Sequence, residues 1–163
     1  MNAHDALKLA LRSSDGVWKM YLDDLSDAEL LERPVDKANH IAWQLGHLIT
    51  AENGLTSQVC PGVMPELPEG FAERHTSETA ASDDPNSFLS KDEYLQLFQQ
   101  QRTATLAALD GLTAEQLDEP APEDLRHICQ TVGGVFALQA SHWTMHAGQW
   151  AVIRRKLGRP PLF

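Results

Sequence analysis

The segment from about Thr131 to Leu157 constrains the fold most. Val132, Val135, Gln139, His142, His146, Gln149, Ile153 and Leu157 recur there at steps of three and four. That is the period of a helix with one face turned to a core. Gly158 and Pro160-Pro161 stop it. Such a seam is buried only against other helices, so the remaining chain has to supply them.

It does. Ala6, Leu7, Ala10, Leu11, Val17, Trp18, Tyr21, Leu22 and Leu25 predict a first helix from about Ala3 to Leu25, weakened but not ended at Asp15-Gly16. Ser26 with Glu29 has the capping-box spacing, and Pro34 marks a break. A second helix is expected to start near Asp36 to Asn39 and reach about Ser57, with Ile41, Leu45, Leu48, Ala51 and Leu55 on one stripe. Ser90 with Glu93 opens a third helix that ends at Gly111, and Thr113 to Leu117 reads as one further turn before Pro120 and Pro122. No period-two strand pattern is present. The segment from Gln58 to Ser90, with Pro61, Gly62, Pro65, Pro68, Gly70 and Pro85, is a long connection. A connection of that length can return the chain to the end of the bundle where the second helix began, which permits parallel neighbours. The expected fold is all-α, a four-helix bundle with long crossover connections, formed by residues 1–163 as one domain.

Charge narrows the function. Thirteen Lys and Arg against 23 Asp and Glu give a formal net charge of −10, which repels phosphate backbones and anionic lipid head groups. No nucleic-acid partner is expected. The one basic cluster, Arg154, Arg155, Lys156 and Arg159, falls where the last helix ends and suits its dipole. No stretch approaches the ~20 apolar residues of a membrane span, and Met1 to Leu11 has no signal-like apolar core, so no membrane partner and a cytoplasmic location are expected. Cys60 and Cys129 have neither CxxC nor framework spacing. Cys60, beside Pro61, reads either as a reactive thiol or as a small apolar side chain.

Two histidines sit inside the last seam. Residues four apart on a helix project one turn above each other, so imidazoles at 142 and 146 can converge on one ion. The same pair also fits two neutral core histidines bonded to backbone or water. A third histidine weights the balance toward metal: His40, Gln44 and His47 form a polar stripe on the second helix, and bundle cores build metal sites from side chains of facing helices.

The segment Asn39-His40-Ile41-Ala42-Trp43-Gln44-Leu45-Gly46-His47-Leu48, the later His142-Trp143-Thr144-Met145-His146-Ala147-Gly148-Gln149 and the Lys-Leu-Gly-Arg-Pro-Pro ending together resemble the DinB-like superfamily, which includes YfiT-like proteins and thiol-dependent transferases. The likeness extends through Leu67-Pro68-Glu69-Gly70-Phe71. It implies a four-helix bundle with one divalent metal ion, zinc or nickel, on His47, His142 and His146, and a homodimer. The related ergothioneine-synthesis iron proteins look like HxxxHxE here, whereas residue 148 is Gly, which speaks against an iron oxygenase.

Three neutral imidazoles leave an ion its full charge and, for zinc, an open fourth position. Such an ion can lower the pKa of a bound water or stabilise a thiolate. His40, Gln44, Glu52 and Gln149 are candidates for the surrounding pocket or for fixing the imidazole tautomers. His4, His75 and His127 are assigned no role. The leading expectation is a metal-dependent transferase acting on a small-molecule substrate with a low-molecular-weight thiol as cosubstrate. A metal-dependent hydrolase and a non-enzymatic metal-binding or stress-related helical module are the alternatives, the last favoured if a carboxylate such as Glu52 closes the coordination sphere.

Overall fold

The computed structural model describes all 163 residues. Four long helices, α1 (Ala3–Leu22), α2 (Ile41–Val59), α3 (Lys91–Gly111) and α5 (Val132–Lys156), pack together, and the short α4 (Ala114–Asp118) follows α3. The chain has no strands. No helix is long and apolar enough to cross a membrane.

Side-chain pairs fix the directions. Ser14 meets Ala140, and Asp24 meets Arg154, so α1 and α5 run parallel. Asn53 meets Gln101, and Thr56 meets Thr105, so α2 and α3 are also parallel, as the long connection between them permits. Gln44 meets His146 and Gln139 meets Thr56, which makes α2 and α5 antiparallel. Asp15 meets Arg102 and Trp18 meets Phe98, which makes α1 and α3 antiparallel.

Two helix limits differ from the sequence expectation. α1 ends at Leu22 rather than Leu25. The Lys91 ammonium collects the carbonyls of Leu22, Asp23 and Leu25, while Arg154 and Arg159 draw Asp24 away. Leu25 still reaches the core, but from a turn. α2 begins at Ile41, not between Asp36 and Asn39, because Lys37 has a φ of 62°, outside the helical region, and His40 is the cap. The capping boxes at Ser26/Glu29 and Ser90/Glu93 form as their spacing requires.

The main core joins Trp18, Leu45, Leu48, Phe98, Trp143 and Trp150. Trp18 stacks on Trp143 with centroids 4.6 Å apart. Beside the stack lies a buried ionic group, with Arg102 between Asp15 at 3.2 Å and Glu52 at 3.3 Å. The two indoles donate to the two carboxylates, Trp18 to Asp15 and Trp143 to Glu52. At the basic end of α5 Arg154 pairs with Asp24 and Lys156 with Glu32, and just beyond the helix Arg159 pairs with Glu29 and Asp24. Both cysteines are free and buried, and burial raises their thiol pKa values, so neither is an activated thiolate.

Candidate metal centre

His47 stands in the second turn of α2, and His142 and His146 stand one turn apart on α5, across the antiparallel α2/α5 contact. Ring centroids are 5.2 Å apart for His47 and His142, 5.6 Å for His47 and His146, and 4.9 Å for His142 and His146. One nitrogen from each ring lies within 4.8 Å of the other two. A tetrahedral ion with bonds of 2.0–2.1 Å separates its ligand nitrogens by about 3.3 Å, so the three rings have to draw closer to share one. His146 is buried, whereas His47 and His142 are half-buried, so the group is held by the bundle but faces outward.

Hydrogen bonds set the tautomer of His146. Trp150 Nε1 can only donate, and it does so to Gln44 Oε1 at 2.8 Å. The Gln44 carbonyl therefore faces α5, and the His146 Nδ1 at 2.7 Å from the same oxygen must be the protonated nitrogen. Nε2 of His146 keeps its lone pair for a ligand role. The Gln44 amide nitrogen is anchored in turn by donation to the Asn39 carbonyl and, at 3.2 Å, to Gln149 Oε1. His47 is oriented differently, by stacking on Trp43 at 5.1 Å with the rings 7° from parallel.

Burial also holds the three imidazoles neutral. It depresses His142 and His146 to about 4, reinforced by the neighbouring histidines, and lowers His47 below its ordinary value. Neutral imidazoles are the metal-binding form, so the donor set is ready at pH 7 without losing protons. Three imidazoles with no thiolate or carboxylate among them fit a borderline divalent ion.

The remaining candidates separate. Gln44 bonds His146 directly, and Gln149 bonds Gln44 in turn. Glu52 does not join the group: five residues beyond His47, it is turned about 140° around α2. Its oxygens accept from Thr105 Oγ1 at 2.8 Å and Trp143 Nε1 at 3.0 Å. His40 is fully buried and caps α2, its Nδ1 accepting from the Trp43 amide at 3.1 Å and its Nε2 donating to the Ser82 carbonyl at 3.0 Å. Both ring nitrogens are thus committed to backbone groups, and none of its hydrogen bonds is to the three histidines.

One residue without an assigned role matters to the site. His75, in the long connection, is buried, donates from Nδ1 to the Phe71 carbonyl at 2.7 Å and accepts at Nε2 from the Tyr94 hydroxyl at 2.8 Å. Its ring lies flat against Gly46, where a Cβ would come within 2.1 Å of it. The connection is thus clamped on α2 immediately beside His47. The only sequence signal was Gly46 itself, a glycine inside an apolar helix.

An all-α bundle that offers three neutral imidazoles from two facing helices defines a helical-bundle protein with a centre suited to one divalent metal. More particularly, the DinB superfamily model matches residues 10–150, and the chain belongs to the DinB superfamily. A comparison with curated proteins finds no match.

Proposed function

We propose that the protein is a metal-dependent small-molecule transferase that uses a low-molecular-weight thiol as cosubstrate, with His47, His142 and His146 holding one zinc or nickel ion. The observation that carries this reading is the convergence of three neutral imidazoles at an outward-facing position with no fourth protein ligand beside them. When bound, the ion supplies a Lewis acid that favours the thiolate form of a coordinated thiol. His146 is fixed in its ligand tautomer by Gln44, and the ring of His47 is held by Trp43. The thiol proton goes to solvent, the sulfur forms a bond to the electrophilic carbon, and the leaving group departs with the electron pair. The same reading takes residues 1–163 as one cytoplasmic domain that pairs as a homodimer, with a mass twice the 18.1 kDa of one chain expected in sedimentation.

The test is conjugation of 1-chloro-2,4-dinitrobenzene to a panel of low-molecular-weight thiols by zinc- or nickel-loaded protein. Thiol-dependent chloride release that is lost on chelation and in His146→Ala supports the reading. Hydrolysis of activated esters by the loaded protein, with no thiol and no conjugation, supports the hydrolase instead. Neither activity in a protein that holds its ion supports the non-enzymatic module.

A further inference from the structure

Beside the centre, between α2, α5 and the connection that precedes α5, runs a groove of about 450 Å³ lined by Ala51, Gly54, Leu55, Gln58, Ile128, Leu138 and His142. Its volume is that of a small-molecule site. His142 forms part of the wall, so a molecule lying in the groove can reach the three-histidine group at that ring. Leu55 and Leu138 rest on a buried cluster of Ala121, Leu125, Cys129 and Val135, which makes this side firm. Gly54 is exposed, and nothing lies within 4 Å of where its Cβ would be, so the width of the groove depends on the missing side chain.

The charge distribution says what the groove accepts. In a chain of net charge −10, α5 has no charged residue from Val132 to Ile153. α2 has only Glu52, which is buried and turned away toward Arg102. A charged group placed here would lose hydration and gain no counterion from either helix or from Ile128, whereas a hydrocarbon group would gain from leaving water.

We propose that this groove binds the apolar part of the substrate, an uncharged alkyl or aryl group whose reacting end lies at His142, and that Gly54 sets the size of group admitted. The proposal rests on the reading of the three histidines as a metal centre. It makes the protein selective for hydrophobic over charged small molecules.

The test uses the protein loaded with Co²⁺, whose visible spectrum reports ligands at the ion, titrated with alkyl hydroxamates from acetohydroxamate to octanohydroxamate. Affinity rises roughly three- to fourfold per methylene as the chain fills the groove. A chain of equal length ending in a carboxylate binds at least roughly tenfold more weakly than its methyl-ended counterpart. Gly54→Leu binds acetohydroxamate as the parent protein does but loses the dependence on chain length. Ala51→Phe, a second blocking variant, behaves alike, with circular dichroism confirming the helices. A flat series in the parent protein, or an unchanged slope in both variants, overturns the groove. A flat series in a dimer of twice 18.1 kDa overturns it in favour of a second copy as occupant. Absence of cobalt bands in the folded protein overturns the centre itself, and the groove's role with it.

Discussion

The side-chain carbonyl of Gln44 accepts a 2.7 Å hydrogen bond from Nδ1 of His146, leaving the Nε2 lone pair of that ring free to bind an ion. The tautomer is dictated from outside the histidine group, because Trp150 occupies the same oxygen and can only donate. Gln44→Leu removes the constraint while leaving all three imidazoles in place. Metal affinity, measured by competition with a chromophoric chelator, is expected to fall about 10- to 100-fold with the stoichiometry unchanged.

Burial of the histidines predicts how metal binding responds to acid. With His142 and His146 near 4, only His47 competes appreciably for protons in mildly acidic solution. Affinity is expected to fall less than about tenfold between pH 7 and pH 5.5, whereas three ordinary histidines would lose on the order of several hundredfold. Isothermal titration at the two pH values separates these outcomes.

The same shifts bear on the stability of the metal-free protein. His75, His142 and His146 have folded values of about 4 against an ordinary 6.5, so the unfolded chain binds more protons between those limits. Their contribution is complete above pH 6.5 and is lost as pH falls toward 4. Asp15 and Glu52, whose carboxyls burial raises, act in the opposite sense. The histidine part is isolated by difference: denaturant unfolding of His142→Asn should show a shallower loss over this window than the parent protein.

Gly46 and His75 are expected to behave as a coupled pair. Gly46→Ala drives a methyl group into the His75 ring and should destabilise by about 1–3 kcal/mol. In His75→Ala the same change should cost much less, because the atoms that clash are gone. A double-mutant cycle by urea denaturation measures the coupling, and additive effects would exclude the clamp.

Glu52 belongs to the core and not to the metal group. Glu52→Leu leaves Arg102 buried with one carboxylate fewer, and the expected cost is about 3–5 kcal/mol. Metal stoichiometry should stay the same in any fraction that folds. Loss of metal from a folded Glu52→Leu protein would show that the carboxylate serves the centre.

How much of this was legible in the sequence follows from the range of each interaction. The long helices declared themselves by the three-and-four spacing of residues such as Leu45, Leu48 and Ile153, and the boxes at Ser26 and Ser90 by contacts three residues apart. His47, His142 and His146 were found because helical spacing places 142 above 146 and the resemblance paired them with the second helix. Helical spacing also suggested Gln44 and Gln149, but could not separate them from Glu52, since which side of α2 faces α5 is decided by packing. His40 shares the stripe of His47, yet its ring turns back to cap the helix. His75 left no mark of its own, because its partners Phe71, Tyr94 and Gly46 meet it only after the long connection has folded back on α2.

The central claim, one divalent ion on His47, His142 and His146, is tested most directly by elemental analysis of untagged protein beside its His47→Ala and His146→Ala variants. About one zinc or nickel ion per chain, lost in both folded variants, is the predicted result. A folded parent protein that takes up neither ion after dialysis against each, or variants that keep the full amount, would contradict it.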